Sequence, residues 1–149
     1  DFRISERVFR TLLRLKCLSG NFFGIQSRLE NKKIFKDALN DNLASFYREE
    51  LESRKQLGYP PFSHLIKLSS SAKSIAALNA EVTKVKILLK QFQPLDFPSF
   101  IHKIDNIYTH NIIIKVLPDA WPYKNTRLLE ILRNLGPRFT VQIDPLSIL

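Results

Sequence analysis

The spacing of apolar residues changes along the chain from helical periodicity to alternation. Residues 2–18 have apolar positions every three or four residues, which predicts an amphipathic helix that ends at Gly20. Residues 22–33 show no clear period. A second helix is predicted from about residue 40 to residue 57. Its N-cap is Asn40, Asp41 or Asn42, and its predicted buried stripe consists of Leu43, Phe46, Tyr47 and Leu51.

A glycine and two prolines follow the second helix. Gly58 is a natural residue to end a helix because it adopts positive φ without steric cost. Pro60 disfavours the helical conformation at Tyr59, and neither proline donates a backbone hydrogen bond. The sequence therefore predicts a rigid corner at residues 59–62, with Tyr59 and Phe62 as buried anchors.

Beyond the corner the pattern predicts short strands and two helices. Apolar residues at steps of three and four from Ile75 to Phe92 predict a long helix, capped by Ser71 or Ser74. A last helix begins at Asn125 or Thr126. The predicted strands are residues 64–69, 100–104, 111–117 and 139–143. The resulting order, β-α-β-β-α-β, predicts an α+β fold of the split βαβ (ferredoxin-like) type, with both helices on one face of a mainly antiparallel sheet.

Charge favours a polyanionic partner. Lys and Arg outnumber Asp and Glu by 23 to 14, which gives a net charge of +9. Such an excess promotes association with nucleic acid first and with acidic protein segments second. The alternative is a basic surface that is merely solvated.

The residues exclude several kinds of chemistry. One cysteine, three scattered histidines and four unclustered glycines predict no disulfide, no metal site and no Gly-rich phosphate loop. No catalytic triad or paired carboxylates in an apolar context can be argued, and Asp144, before Pro145, is interpreted as a turn residue. By itself the chain is predicted not to be an enzyme and to hold no cofactor. Its lone cysteine fits the cytoplasm, and no apolar window approaches the roughly 18 residues of a membrane span, so no membrane partner is expected.

Four stretches resemble one family. The run FYREELESRKQLGYPPF at residues 46–62 is similar to the signature that opens the C-terminal domain of the primosomal protein N′ family of replication-restart helicases. Asp1-Phe2-Arg3, with Glu6, Arg7 and Phe9, resembles the helix that leads into helicase motif VI. Residues 25–27 and 143–146 resemble the strand after that motif and the family's ending on Asp-Pro. The chain starts with Asp and lacks Met, which favours a fragment or a processed product.

The resemblance implies two parts. Residues 1–39 correspond to a remnant of helicase lobe 2 with a degenerate motif VI, which forms a helical arm. Residues 40–149 correspond to the C-terminal DNA- and partner-binding domain, whose fold in the family resembles a small-subunit ribosomal protein. Within it lie a linking helix at 40–57, the corner at 59–62 and a sheet domain at 62–145.

Motif VI departs from the family pattern. The two family arginines that reach the ATP phosphates are replaced by Leu18 and Asn21, which cannot supply a guanidinium contact. This favours an ATPase-defective remnant or a diverged relative, unless Arg14 substitutes. ATP, magnesium and zinc would belong to upstream regions of the parent. The alternative is that the chain is the tail of an intact, active ATP-dependent 3′-5′ DNA helicase.

The family also implies partners. Its C-terminal domain helps to bind branched or single-stranded DNA at stalled forks, and to receive the acidic tail of single-strand DNA-binding protein beside other primosome proteins. The charge of +9 suits both tasks. A protein-interaction module that does not bind DNA is the alternative.

Charge and position select the candidate binding residues. They are Lys103, Lys115, Trp121, Tyr123, Lys124, Arg127, Arg133 and Arg138. Lys124 and Arg127 open the last helix, where free N–H groups assist anion binding. Trp121 and Tyr123 are candidates to stack on a base or to cover an acidic peptide, whereas the structural alternative for Trp121 is a partly buried loop anchor. For each lysine the alternative is a solvated side chain.

The first helix carries a possible anion-facing stripe. Steps of four, three and four place its arginines on one face. A solvated face explains the same pattern. The stripe consists of Arg3, Arg7, Arg10 and Arg14.

Overall fold

The chain forms two compact units that meet in sequence between Leu57 and Gly58. The computed structural model of the protein describes residues 1–28, 33–104 and 106–148, and of residues 100–104 it describes the backbone alone. We call Asp1–Leu57 the helical unit and Gly58–Leu149 the sheet unit.

The helical unit contains three helices in its described part: α1 (Ile4–Leu18), α2 (Lys33–Leu39) and α3 (Leu43–Leu57). Its small core is aromatic. The rings of Phe9 and Phe46 stack with their centroids 4.0 Å apart and their planes 10° from parallel, and Ala38 is buried with them. Helix α1 therefore packs through one aromatic residue against α3.

Sequence patterns located two of these helices and missed the third. Helix α2 has only seven residues and follows an unpatterned stretch, so it offers too few turns for a period to emerge. The predicted buried stripe of α3 is wrong except at Phe46. Leu43 is 45% exposed, Tyr47 38% and Leu51 43%, because a three-helix unit of this size covers only a narrow strip of each helix.

Arg54 ties two helices of this unit together. Its Nε donates to the Glu50 carboxylate at 2.8 Å, one helical turn earlier, and its Nη2 donates to Glu6 of α1 at 2.8 Å. Asn42 caps the start of α3, because its side-chain oxygen accepts a hydrogen bond from the N–H of Ser45 at 3.2 Å.

The corner after α3 is a closed turn. Gly58 has φ of 59°, and the Pro60–Pro61 peptide bond is cis. The N–H of Phe62 donates to the Tyr59 carbonyl at 3.0 Å, and Ser63 Oγ donates to the Gly58 carbonyl at 2.8 Å. Tyr59 and Phe62 are half-buried, so they anchor the corner less deeply than predicted.

The sheet unit is a four-stranded antiparallel sheet with two α-helices in the described part, and its α+β class agrees with the prediction. Along the sheet the strands lie in the order β2-β3-β1-β4. Its elements are β1 (His64–Ala72), α4 (Ile75–Leu88), β2 (Leu95–Ile104), β3 (Ile107–Val116), α5 (Thr126–Arg133) and β4 (Phe139–Ile143), with 3-10 helices at Lys90–Phe92 and Pro118–Ala120.

One face of the sheet forms the main core. Strand β1 pairs with β3 so that Ile66 lies opposite Ile114 and Leu68 opposite Ile112, and all four side chains are fully buried. Helix α4 covers them, and Leu128 of α5 completes the cluster. The alternation predicted for β1 and the β-branched residues of β3 therefore produce the hydrophobic layer to which both helices pack.

Strand β2 begins earlier than predicted. It starts at Leu95, and its pairing with β3 shifts register between Pro98 and Lys103. A proline inside a strand argues against a central position, but β2 is an edge strand, where the missing N–H does not break the ladder. Helix α4 ends at Leu88, and the turn that continues it is a 3-10 helix instead of an α-helix.

Candidate nucleic-acid interface

A groove lies where the end of α4 and the following 3-10 helix approach the start of α5. Its volume is about 510 Å³. Among the described residues that line it, two are cations, two are amides and none is a carboxylate. The lining consists of Ile87, Leu88, Lys90, Gln91, Gln93 and Arg127. We call it the α4–α5 groove.

The 3-10 helix presents the polar side of this groove. Leu89 is fully buried and anchors the end of α4, while Lys90 and Gln91 project outward. Gln93 has φ of 49°, in the left-handed region, and its N–H donates to the Lys90 carbonyl at 3.2 Å. The chain thus turns sharply before Pro94, and Lys90, Gln91 and Gln93 share one short exposed segment.

The loop before α5 forms the neighbouring surface. The Asn125 N–H donates to the Pro122 carbonyl at 3.4 Å, which closes a turn with Tyr123 and Lys124 at its two central positions. Tyr123 is 89% exposed. Asn125 lines a second cavity with Gln91 and Gln93, so this turn lies beside the α4–α5 groove.

Trp121 anchors that loop. It is partly buried and packs against the main core together with Ala120. The two aromatic candidates of the loop therefore differ, since Trp121 is structural and Tyr123 is free for a ligand to approach.

A different groove flanks Lys115 on the other face of the sheet. Lys115 Nζ lies 3.9 Å from the centroid of the Tyr59 ring, and burial lowers the pKa of this ammonium group. The groove has a volume of about 420 Å³ and is lined mainly by apolar residues, with Leu95, Phe97 and Ile113 among them. We call it the Tyr59–Lys115 groove.

The remaining sheet-unit candidates lie elsewhere. Lys103 belongs to β2, but its side chain lies outside the described part of the structure. Arg133 is exposed at the far end of α5. Arg138 donates to Glu81 at 2.8 Å and lines a separate cavity with Lys73. The turn and the start of α5 thus carry Tyr123, Lys124 and Arg127. Lys115 also lines the second cavity beside them, whereas Arg133 and Arg138 lie apart.

The arginine stripe belongs to α1 of the helical unit. Arg7 lies 3.5 Å from the Asp1 carboxylate, and the Arg3 guanidinium lies 5.1 Å from the Phe2 ring centroid. Arg10 and Arg14 are exposed. Two members of the stripe therefore have partners within their own unit.

The segment that supplies the two glutamines of the α4–α5 groove was not among the candidate residues predicted from the sequence. Lys90 and Gln91 lie within the predicted long helix, and Gln93 follows its predicted end at Phe92. A polar Lys-Gln-Phe-Gln run directly before Pro94 is typical of a helix end, and it is the signal that would have identified an exposed segment.

Residues 1–28, 33–104 and 106–148 show neither a candidate metal site nor a helix that could span a membrane. The described side chains of this part of the chain include no group of three or more His, Cys, Asp or Glu residues placed to hold a metal ion. None of its helices combines the length and the apolar character needed to cross a membrane. Cys17 is a free, exposed cysteine.

Comparison with known proteins identifies relatives. Residues 55–146 match the family described as primosomal protein N C-terminal domain. The replication restart protein PriA of Thermotoga maritima is 34% identical over 124 residues, which are 81% of this chain and 16% of that protein. The PriA protein of Borreliella burgdorferi is 31% identical over 76% of this chain and 19% of its own length. That of Chlamydia pneumoniae is 26% identical over 99% of this chain and 21% of its own length. The chain thus spans about a fifth or less of the first two relatives.

Proposed function

Since the chain belongs to the primosomal protein N C-terminal domain family, we propose that it contributes DNA binding to replication restart, with a preference for branched DNA at stalled forks. The α4–α5 groove, together with the adjoining turn at Tyr123 and Lys124, is the proposed DNA surface. The name of these relatives, replication restart protein PriA, supports this choice of process.

One observation carries the proposal. Lys90 and Arg127 line a groove that, within the described residues, has no carboxylate in its lining, and Lys124 is exposed beside it. Phosphate oxygens are bound in proteins by such cations, and Gln91 and Gln93 supply neutral donors for the sugar-phosphate backbone. A groove with cations and amides but no carboxylate among its described lining residues suits a polyanion better than it suits a neutral ligand.

The Tyr59–Lys115 groove supports a second contact, to the acidic tail of single-strand DNA-binding protein. Its mainly apolar lining accommodates apolar side chains, and Lys115 is complementary to carboxylates. The lining also contains Asp96, whose carboxylate lies 2.6 Å from Lys86 Nζ. This surface differs from the α4–α5 groove in being mainly apolar, so the two contacts are proposed to be separable. Other primosome proteins are proposed as further partners.

The sheet topology, the domain boundaries and the cellular location are proposed as well. The strand order β2-β3-β1-β4 with antiparallel neighbours supports the split βαβ (ferredoxin-like) topology. We assign residues 1–39 to the end of a helicase lobe, with Leu18 and Asn21 marking a degenerate motif VI. Residues 40–149 then form the DNA- and partner-binding part, which acts in the cytoplasm.

DNA binding is tested with labelled fork, duplex and single-stranded DNA across a salt series. We expect the 149-residue chain to prefer the fork and to lose affinity steeply as salt rises. The double variant Lys90→Ala/Arg127→Ala should bind all three DNAs more weakly. Lys73→Ala/Lys84→Ala removes the same net charge from exposed positions outside the groove and should bind nearly as the parent does.

The peptide contact needs its own measurement. A labelled peptide that ends in acidic and apolar residues is titrated into the parent chain, Lys115→Ala and Lys124→Ala. Loss of peptide binding in Lys115→Ala, with retention in Lys124→Ala, supports the second groove. Peptide binding by a chain that has no affinity for any DNA would leave a protein-interaction module as the function.

A further inference from the structure

Tyr123 is exposed to an unusual degree for a tyrosine in a well-anchored loop. Its side chain is 89% exposed, whereas Trp121, two residues earlier, packs against the core. Central turn positions favour small polar residues such as Asp, Asn, Ser and Gly. The ring of Tyr123 is therefore barely covered by the described part of the chain, and its aromatic face is open to a ligand.

The turn that carries Tyr123 is fixed at both ends. On one side the N–H of Ala120 donates to the Leu117 carbonyl at 2.9 Å, and Ala120 and Trp121 pack against the core. On the other side α5 begins at Thr126 and is held by the fully buried Leu128. An aromatic ring on a rigid turn loses little entropy when a ligand binds, because a tyrosine side chain has only two rotatable χ angles.

Two cations lie close to Tyr123 in the sequence. Lys124 occupies the next position of the same turn, and Arg127 follows one helical turn later in the lining of the α4–α5 groove. A nucleotide offers both a flat base and a phosphate, so an exposed ring beside two cations matches both parts of one ligand.

We propose that Tyr123 is a stacking site for an unpaired nucleobase, and that it gives the α4–α5 groove its selectivity for DNA with unpaired nucleotides. The inference rests on the proposed DNA-binding function and specifies its substrate. Bases inside a duplex have both faces covered by their neighbours, and bases at a blunt end are held in pairs, so an unpaired base is the one that is free to stack on Tyr123. Every base has such a face, so the site discriminates structure and not sequence.

An acidic peptide fits this site less well. Carboxylates would pair with Lys124 and Arg127 but would leave the exposed ring without a flat partner. The Tyr59–Lys115 groove offers a peptide an apolar lining that the turn lacks. DNA is therefore the partner that uses the ring and the cations together.

The test uses the complete 149-residue chain and DNA that carries 2-aminopurine, either unpaired at a junction or paired within a blunt duplex. Fluorescence quenching of the unpaired probe reports stacking, and titration reports affinity. We expect Tyr123→Ala to weaken binding of the junction DNA about 5- to 150-fold, the range that one base–aromatic stack supplies, and to abolish the quenching. Blunt-duplex affinity should change less than about two-fold, and Tyr123→Phe should retain both signals because it keeps the ring.

Ile75→Ala is the control, since Ile75 is a large exposed apolar residue at the start of α4, away from the α4–α5 groove. It should bind as the parent does. The intrinsic fluorescence of Trp121, the only tryptophan in the chain, verifies that each variant keeps its folded loop.

Several results would overturn the proposal. One is an equal loss of junction and duplex affinity in Tyr123→Ala, which would make Tyr123 a general contact. Another is unchanged junction binding with impaired binding of the acidic peptide. If Lys90→Ala/Arg127→Ala loses DNA affinity while Tyr123→Ala behaves as the parent, the stacking site fails and DNA binding stands. If the parent binds no DNA, the stacking site and the proposed DNA-binding function both fail.

Discussion

Asp144 connects the first and last strands of the sheet unit through three short contacts. Its carboxylate accepts a hydrogen bond from the N–H of Leu65 at 3.0 Å and lies 2.7 Å from His64 Nδ1. Its own N–H donates to the Leu65 carbonyl at 2.7 Å. Asp144 has φ of 48°, a conformation that Asp and Asn tolerate better than most residues. The Asp-Pro ending therefore has a structural role, in agreement with the predicted turn.

Replacing Asp144 tests that role. Asp144→Ala leaves the Leu65 N–H without its acceptor, so we expect the free energy of unfolding to fall by about 1–3 kcal/mol. Asp144→Asn keeps an acceptor oxygen and tolerates the positive φ, so it should lose less. Urea denaturation followed by Trp121 fluorescence measures both, with Asp119→Ala as an exposed control. Equal losses in the Ala variant and the control would refute the role.

Asp96 makes stability depend on pH. Its carboxylate lies 2.6 Å from Lys86 Nζ and 3.3 Å from His110 Nε2. The hydrogen bond from Lys86 is the main reason that the pKa of Asp96 lies below its ordinary value, against an opposing effect of burial. The folded state therefore binds fewer protons than the unfolded state near pH 4. The stabilisation is complete above the unfolded pKa, about 3.9, and is lost as pH falls through the folded pKa.

We expect Asp96→Asn to lower the free energy of unfolding at pH 7 by about 0.5–1 kcal/mol, the scale of a partly exposed ion pair. The difference from the parent should shrink towards zero as the pH falls well below 4, where Asp96 itself is neutral. Urea midpoints at pH 7 and at about pH 3 measure it. A difference that is independent of pH would assign the effect to packing instead of charge.

At the level of elements, the chain changes from helix to sheet within six residues. Helix α3 ends at Leu57, Gly58 adopts φ of 59°, a turn closed by the Phe62 N–H and the Tyr59 carbonyl follows, and β1 starts at His64. A Cβ on Gly58 would lie 3.8 Å from Lys115 Cδ, an ordinary contact. The requirement for glycine is therefore conformational and not steric crowding.

Gly58→Ala should thus cost about 1–2 kcal/mol, the penalty for an L-residue in the left-handed region. Gly136→Ala is the matched control because a Cβ there meets nothing within 4 Å and its φ is not positive. We expect the control to be neutral or stabilising by up to about 1 kcal/mol, since alanine reduces the entropy of the unfolded chain. Thermal unfolding of both variants measures the two effects. Equal shifts in melting temperature would show that the positive φ of Gly58 is not the cause of the loss.

For the whole molecule, the net charge of +9 describes the amount of positive charge but not its arrangement. Arg54 is paired with Glu6 and Glu50, and Arg138 with Glu81. Lys90, Lys124 and Arg127, in contrast, are exposed in or beside a groove whose described lining lacks carboxylates. The positions of these cations, more than the total charge, favour the α4–α5 groove as the DNA-binding surface.

This arrangement makes a prediction for the salt dependence of DNA affinity. Each phosphate contact contributes about 0.9 to the slope of log affinity against log salt, so Lys124→Ala should reduce the slope by about one. Tyr123→Ala should leave the slope unchanged because stacking releases no counterion. Titrations at four or more salt concentrations distinguish the two, and parallel lines for the parent and Lys124→Ala would remove Lys124 from the surface.

Much of the fold was predictable because its signals are local. The periodicity of Ile75 to Leu88 and the alternation in β1 and β4 lie within single elements. Helix α2 and the early start of β2 were not predictable. Seven residues are too few for a helical period, and Pro98 is acceptable only because β2 lies at the edge of the sheet, which is a property of strand order.

The candidate site was predictable in part for the same reason. Lys124 and Arg127 follow from their position before and within a helix. Lys90, Gln91 and Gln93 come from a segment about 35 residues earlier, and nothing in the local sequence relates them to Arg127. Only the packing of α4 and α5 on one face of the sheet brings these residues into one groove.

The sequence by itself determined the class of the fold, the corner at residues 59–62, the basic character and, through residues 46–62, the family. Each of these depends on residue type and short-range spacing. The tertiary structure alone decided which of two neighbouring aromatic residues is an anchor and which is open to a ligand. Trp121 and Tyr123 have the same local context, but burial depends on what packs above a side chain, and for Trp121 that is the core of the sheet unit.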